Sequence, residues 1–415
     1  MTRIPRALLL LTVLLGLSAC ATAAPSLGQD ARVPGGPVVL ISIDGFHPAY
    51  LDRGVTPNLA ALAARGVQAE MKASFPTKTF PNHYTLVTGL RPDRHGIIDN
   101  VMTDPALPGR VSRLGDRHEV TDPVWWNGAM PIWVSAERAG LKTATLFWPG
   151  SEAPIAGVQP SHWMTFDQTM SAPDRVARLL AWLDVPKAER PVFLTLYFDE
   201  VDTYGPRFGP DSPELDAALA RTDAAIGQLV AGLKGQGLLA SANLIVVSDH
   251  GMAATSRSRI VRLEDLVSPA DGLVLSTGPH LTFEPAEGRR MQVEAALLRP
   301  HPHMECWRKG ELPERLAFGH HPRVASLFCL AQTGWEILPQ SAAERRPLVG
   351  GAHGYDPADP AMASIFIAAG PAFRSNMRIP TLENVDVYPL LARLLALAAE
   401  PNQGDPAALE AALTQ

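Results

Sequence analysis

Apolar runs alternate with helical patterns along most of the chain. Five runs predict strands that are covered on both faces, because their apolar stretches are almost uninterrupted. They span 38–45, 143–150, 191–200, 243–251 and 363–371. Amphipathic segments at 56–66, 212–237 and 385–400 predict helices, each beginning or ending at Pro or Gly signals. Strands that alternate with helices predict an α/β fold with a central, mostly parallel sheet flanked by helices.

The strand and helix pattern weakens at about 273–345, where Pro, His and Arg accumulate. A strand pattern resumes after this segment. We therefore expect a single domain over 37–400 that carries a small inserted lobe.

The N-terminus has the pattern of an export signal. Residues 1–20 place Arg3 and Arg6 before an apolar run that ends in "LSAC", which resembles a bacterial lipobox. This favours a lipoprotein-type signal peptide with Cys20 lipidated, a flexible tether over 21–36, and a periplasmic protein that meets the membrane only through that lipid. The alternative is cleavage after the small residues 21–23, which would discard Cys20.

The remaining cysteines and the charge restrict the partners. Two cysteines in an exported chain predict a disulfide between Cys306 and Cys329. The formal net charge of −6 over 415 residues gives no electrostatic basis for binding bulk nucleic acid.

Acids and histidines follow several of the predicted strands. Asp44 follows the first strand, Asp202 the third, and Asp249 and His250 the fourth, while His353 lies in a glycine-rich loop before the last. Each alone is compatible with an ordinary turn or a structural histidine. Since ligands bind beyond the carboxyl ends of strands in such sheets, the set predicts a zinc-like ion or a pair of ions.

A second candidate is the segment 74–89, in which Thr77 and Thr79 flank Lys78 ahead of a predicted helix. Either hydroxyl could cap the helix, or one could be a nucleophile activated by a metal ion. The spacing alone does not decide between these alternatives.

Longer motifs carry a resemblance to a known family. "ISIDGF", "FPTKTFPNHYTLVTGLRPDRHGIIDN", "VVSDHGM" and "GAHGYDP" occur in family order, within a resemblance that spans roughly 38–400. The chain resembles the nucleotide pyrophosphatase/phosphodiesterase family of the alkaline phosphatase superfamily. The resemblance implies an alkaline-phosphatase-like fold and metal-dependent cleavage of nucleotide phosphodiester or pyrophosphate bonds, with release of a nucleoside monophosphate.

The resemblance also implies roles for individual residues in a two-zinc site. Asp44, Asp249 and His250 match ligands of one ion, which also binds the nucleophile Thr79. Asp202 and His353 match ligands of the second ion. Asn100 matches a phosphate-binding asparagine, and Phe80 and Tyr197 match aromatics that stack on the base.

One position departs from the family pattern, which places a histidine four residues after Asp202. Pro206 stands there, so the second site lacks a third protein ligand. We expect a working enzyme with a weakly held second zinc, or one completed by another residue such as His162 or Glu200. The alternatives are an enzyme impaired in hydrolysing its intermediate, a nucleotide-binding protein without turnover, and a phosphodiesterase that acts on lipid or choline head groups.

Overall fold

The computed structural model describes residues 35–414, so the predicted signal peptide, Cys20 and most of the predicted tether lie outside the described residues. The strands, in chain order, are β1 (Val38–Ile43), β2 (Val67–Lys72), β3 (Val101–Thr103), β4 (Val111–Arg113), β5 (Thr143–Leu146), β6 (His162–Met164), β7 (Phe193–Phe198), β8 (Asn243–Val247), β9 (Ala253–Ser256), β10 (Ile260–Arg262), β11 (Gly272–Ser276), β12 (His280–Pro285), β13 (Met304–Arg308), β14 (Leu327–Ala331), β15 (Glu336–Leu338), β16 (Val349–Ala352), β17 (Ser364–Ala369), β18 (Met377–Arg378) and β19 (Leu382–Glu383). The α-helices are α1 (Pro57–Arg65), α2 (Thr79–Thr88), α3 (Pro92–His95), α4 (Arg117–Val120), α5 (Ile132–Arg138), α6 (Ala172–Leu183), α7 (Glu200–Phe208), α8 (Pro213–Gly235), α9 (Arg290–Leu297), α10 (Gln340–Ala343) and α11 (Val387–Leu394).

A nine-stranded sheet forms the centre of the molecule. Its order is β18-β2-β17-β8-β1-β7-β5-β6, with β19 paired to β2. The pairs around β1, β5, β6, β7 and β8 are parallel, whereas β17 runs antiparallel to both of its neighbours. Every predicted strand is present in this sheet, which confirms the α/β fold with a mostly parallel centre.

Both faces of the sheet are covered because successive side chains of a strand point to opposite sides. In β1, Leu40 contributes to the core under α2 and α11, while Val39 and Ile41 contribute to the core under α1, α6 and α8. The strand is entirely buried as a result. The segments predicted to be helical at 56–66, 212–237 and 385–400 contain α1, α8 and α11.

The segment after β10 forms a second, smaller sheet. Strands β11, β12, β14 and β13 pair antiparallel in that order over its own hydrophobic core. Cys306 of β13 lies opposite Cys329 of β14, and the predicted disulfide joins them. We call these four strands the inserted sheet.

No helix within residues 35–414 combines the length and the apolar character that crossing a bilayer requires.

Candidate active site

The predicted ligand residues meet at one edge of the central sheet. β1 pairs with both β7 and β8, so the carboxyl ends of these three strands are neighbours. Asp44 follows β1, Asp249 and His250 follow β8, and Asp202 lies in the first turn of α7, just after β7. His353 comes directly after β16 and stacks on His250, with ring centroids 3.6 Å apart.

Two sets of side chains at this edge could hold metal ions. In each set the candidate ligand atoms lie within 4.8 Å of one another; one set is Asp44, His83 and Asp249, and the other is Asp202, His250 and His353. His250 is near both, since its Nε2 lies 3.0 Å from Asp249 Oδ2 and 3.4 Å from Asp44 Oδ1. We call Asp44, Asp249 and His250 the inner group, and Asp202 and His353 the outer group.

The rings of His250 and His353 are oriented as those of metal-binding histidines usually are. His250 Nδ1 lies 2.9 Å from the Gly251 carbonyl, and His353 Nδ1 lies 2.9 Å from the Thr77 carbonyl. A ring nitrogen that donates to a carbonyl leaves the other nitrogen free to bind a metal ion. Nε2 of His353 lies 3.5 Å from Asp202 Oδ1, as expected of two ligands that share one ion.

The donor set fits divalent cations. Four buried atoms of the predicted ligands have no hydrogen-bond partner within the described residues: Asp44 Oδ1, Asp202 Oδ1, Asp249 Oδ2 and His250 Nε2. A buried polar atom without a partner costs free energy, and a bound cation removes that cost. Carboxylate and imidazole ligands in this number suit zinc or a similar ion.

The carboxyl groups show how much negative charge the site concentrates. Burial raises the pKa of Asp44 well above its usual value, and the neighbouring Asp249 carboxylate adds to the effect. Burial also raises the pKa of Asp202 to about 6. Burial opposes ionisation of Asp249 as well, but the neighbouring His250, His83 and His353 together outweigh it and hold the pKa of Asp249 well below its usual value. The site therefore attracts positive charge.

The structure separates the two candidate threonines. The Thr77 hydroxyl donates to the Tyr355 carbonyl (3.0 Å) and accepts from the Gly354 amide (2.9 Å), so it is committed to holding this loop. Thr79 is the first residue of α2, is 6% exposed, and its hydroxyl has no hydrogen-bond partner within residues 35–414. The helix N-terminus at Thr79 favours a bound anion.

Lys78 lies between the threonines and is half-buried. Burial lowers the pKa of its ammonium group, while the nearby Asp99 and Asp202 oppose that shift. Its side chain runs over the backbone of Gly354, where an added Cβ would lie 2.7 Å from Lys78 Cε. Gly354 also has a φ of +117°, a backbone conformation that favours glycine.

Asn100 is placed to donate to an anion at the start of α2. Its Oδ1 accepts from the Phe80 amide at 2.9 Å, which leaves its Nδ2 to donate to another group. Phe80 is half-buried against Trp126, with ring centroids 5.6 Å apart. The Phe80 ring is thus partly accessible beside Thr79.

Tyr197 does not fit the predicted base-stacking role. It is 7% exposed, its hydroxyl donates to Asp44 Oδ2 at 2.6 Å, and its ring packs edge-on against His83. A ring that stacks on a base needs an accessible face. Tyr197 instead orients a ligand of the inner group, while the half-buried Phe166 lies beside it with ring centroids 6.1 Å apart.

His83 is a site residue that the sequence did not reveal. It lies one turn after Thr79 in α2, with Nδ1 2.8 Å from the Thr79 carbonyl and Nε2 2.8 Å from Ser42 Oγ. Burial lowers the pKa of His83, so the ring is neutral, and both nitrogens have partners. His83 therefore braces α2 against β1. The i to i+4 spacing from Thr79 is the only sequence signal that could have suggested it.

Neither residue considered as a replacement ligand joins the outer group. Glu200 pairs with Arg221 at 2.5 Å. His162 lies on β6, at the edge of the sheet, and stacks on Trp182. Pro206 lies inside α7, one turn after Asp202, and its carbonyl faces the backbone of β16. Within the described residues, the third metal-binding side chain near the outer group is His250.

Several known proteins are similar to this chain. Residues 38–356 match the family described as type I phosphodiesterase/nucleotide pyrophosphatase. The chain is 36% identical over 389 residues to an uncharacterised pyrophosphatase/phosphodiesterase of Schizosaccharomyces pombe, covering 88% of this chain and 78% of that protein. It is also 36% identical over 380 residues to the bis(5'-adenosyl)-triphosphatase of Xenopus laevis, covering 91% and 82%.

A solved structure extends the match to three dimensions. An inactive threonine-to-alanine variant of murine ectonucleotide pyrophosphatase/phosphodiesterase 5, in complex with AMP, superposes with a TM-score of 0.87 at 34% identity, covering 91% of this chain and all of that one. Several other relatives are longer, and this chain spans 45% of the venom phosphodiesterase of Macrovipera lebetinus. The extent of these matches shows that the chain is a hydrolase that belongs to the type I phosphodiesterase/nucleotide pyrophosphatase family.

Proposed function

We propose that the protein is a zinc-dependent phosphodiesterase/nucleotide pyrophosphatase that uses Thr79 as its nucleophile and releases a nucleoside monophosphate. The observation that carries this proposal is the set of four unpartnered buried ligand atoms at the start of α2, the helix that begins at Thr79 and whose His83 lies 3.5 Å from Asp249 Oδ2. The threonine-to-alanine exchange in the inactive murine relative, which was solved with AMP, supports both the nucleophile and the nucleotide.

The inner group would hold one ion together with Thr79, and the outer group would hold the second. When bound, the ions lower the pKa of the threonine hydroxyl and of water, and act as Lewis acids on the phosphoryl oxygens. His250 and His353 keep their Nε2 atoms free for this purpose by donating from Nδ1.

The chain's own residues then carry the reaction. The Thr79 hydroxyl loses its proton to solvent and its oxygen attacks phosphorus, while the bond to the leaving group breaks on the opposite side. Asn100 Nδ2 donates to a phosphoryl oxygen, and backbone amides at the start of α2 stabilise the developing charge. Water then hydrolyses the nucleotidyl-threonine ester, which restores Thr79 and frees the nucleoside monophosphate.

Phe80 offers a partly accessible ring for the base, and we assign the second aromatic contact to Phe166 in place of Tyr197. Phe166 is the half-buried ring that packs against Tyr197, whereas Tyr197 is committed to Asp44. Because Pro206 supplies no ligand, we expect the outer group to hold its ion more weakly than the inner group, so that purified protein contains fewer than two tightly bound zinc ions.

The decisive experiment measures turnover of a chromogenic nucleotide diester with chelator, with added zinc, and for Thr79→Ala. We expect zinc-dependent turnover that Thr79→Ala lowers by about 10³-fold or more, with the zinc content unchanged. Thr381→Ala, at an exposed position, is the matched control.

Two results would contradict the proposal. Full activity of Thr79→Ala would exclude the nucleophile. Faster turnover of a chromogenic phosphocholine diester than of the nucleotide diester would replace the nucleotide by a lipid-type head group as substrate.

A further inference from the structure

A buried histidine of the inserted sheet reaches the candidate active site. His280 is the first residue of β12 and is 1% exposed, and its Nε2 lies 2.8 Å from Oδ2 of Asp99, which is 2% exposed. The two residues are 181 positions apart in the chain. Burying a charged pair costs desolvation free energy that burying an apolar pair does not. A gain in folding stability therefore does not explain why His280 and Asp99 are buried together.

Asp99 is held from two sides. Its Oδ1 accepts from the backbone amide of Asn100 at 2.7 Å, and its Oδ2 lies 2.8 Å from His280 Nε2. Burial opposes ionisation, but His280 and the nearby Lys78 together favour the charged form, so the pKa of Asp99 is lowered and the group stays a carboxylate. The charge of Asp99 thereby fixes where the backbone of Asn100 lies.

The contacts continue to the start of α2. Asn100 Oδ1 accepts from the Phe80 amide, next to the proposed nucleophile. The hydrogen bonds therefore run from His280 through Asp99 and Asn100 to Phe80. A shift of the Asp99 carboxylate moves the Asn100 amide relative to Thr79.

His280 also contacts the opposite side of the site. Its Nδ1 lies 3.4 Å from the carbonyl of Gly354, which follows His353 of the outer group. The ring is stacked on Phe328 of β14, with centroids 5.1 Å apart and planes 19° apart, so its orientation is fixed by the inserted sheet. One imidazole thus touches the loop that carries Asn100 and the loop that carries His353.

We propose that His280 is a positioning residue for phosphoryl transfer, through which the inserted sheet sets the place of the Asn100 amide relative to the phosphoryl group. This inference rests on the proposed phosphodiesterase function. The inserted sheet would then take part in the reaction indirectly, because His280 contacts Asp99 and Gly354 and not the substrate.

The test is a double-mutant cycle of His280→Leu and Asn100→Ala, measured on a chromogenic nucleotide diester. His280→Leu is expected to lower kcat about tenfold to a hundredfold with KM within about twofold, because a misplaced donor affects mainly the transition state. In the Asn100→Ala background, His280→Leu should cause no further loss. His280→Gln, which still reaches Asp99, should restore most of kcat.

Thr282→Val is the matched control, because Thr282 lies two residues along β12, is buried, and has a hydroxyl without a partner in the described residues. Melting temperatures accompany every variant. If His280→Leu does not fold, His280→Asn takes its place in the cycle, since its shorter amide does not reach Asp99.

Equal losses in both backgrounds, or no loss in either, would overturn the positioning role while leaving the diesterase function standing. If the wild-type protein does not cleave the diester, the proposed function fails separately, and the same cycle on the dissociation constant of AMP decides the role of His280. A wild-type protein that neither cleaves the diester nor binds AMP overturns both.

Discussion

The inner and outer groups use the same ligand chemistry but differ in how the fold supports them. Asp44, Asp249 and His250 directly follow two paired central strands, and their side chains are at most 2% exposed. Asp202 and His353 lie on a helix and a loop, with side chains 25% and 12% exposed. Supporting contacts also differ. The Tyr197 hydroxyl donates to Asp44 Oδ2 and the Gly45 amide donates to Asp249 Oδ1, whereas Asp202 Oδ1 faces His353 Nε2 at 3.5 Å.

This difference indicates which of the two groups tolerates amino-acid substitution better. Each ligand of the inner group is set by a central strand and by hydrogen bonds around it, so a substitution there disturbs several contacts at once. The outer group has fewer fixed contacts, and Pro206 lies one helical turn after its Asp202.

The largest expected effect is a fall in kcat/KM when one group loses a carboxylate. Asp249→Asn should lower kcat/KM about 10³-fold or more, because it removes a fully buried ligand that acts on the nucleophile. Asp202→Asn should cost less, about tenfold to a hundredfold, because the outer ion is already weakly held. Steady-state kinetics with measured zinc content tests the pair.

The control for both variants is Asp386→Asn, which removes a buried carboxylate outside the two groups. Equal losses for Asp249→Asn and Asp202→Asn would contradict the difference in support between the groups.

A third side-chain ligand in the outer group should make its zinc binding more like that of the inner group. Pro206→His places an imidazole one helical turn after Asp202, so we expect zinc occupancy to approach two ions per chain and kcat to rise about tenfold. Pro206→Ala separates the new ligand from the removal of proline. If the unmodified protein already holds two zinc ions at full occupancy, the outer group is not weak and the comparison fails.

The smallest effect concerns stability without metal. Burial raises the pKa of Asp202 to about 6, above its unfolded value, so the folded chain binds more protons than the unfolded chain between about pH 4 and 6. Stability therefore falls as the pH rises through this window. In chelator, Asp202→Asn should stabilise the protein by on the order of 1–3 kcal/mol at pH 7.5 and by nothing near pH 4.

Calorimetry at the two pH values checks this expectation, with the exposed Asp52→Asn as control. Equal melting temperatures of wild type and Asp202→Asn in chelator at pH 7.5 would show that the outer carboxylate carries no such cost. Excess zinc should reverse the order, because only the wild type gains the full ligand set.

The sequence predicted the strand-end residues well because strand ends, turn residues and ligand chemistry are local features. Asp44, Asp249 and His250 all follow apolar runs that form central strands. The stacking role of Tyr197 came from the family resemblance. Its hydrogen bond to Asp44 had no signal in the sequence, because a continuous apolar run does not show which face of the sheet each side chain occupies. The contact between His280 and Asp99 had no local signal, since it joins an inserted sheet to a distant loop.

The close passage of Lys78 over Gly354 links the loop of His353 to the start of α2. An added Cβ at 354 would collide with Lys78 Cε at 2.7 Å, so the end of the lysine would have to move, and the new side chain would also need a left-handed backbone. Shortening the residue at 78 relieves only the collision. A substitution at 354 would therefore displace the Lys78 ammonium group from its place near Asp99 and Asp202, and so change the charge at the start of α2 from a loop 276 positions away.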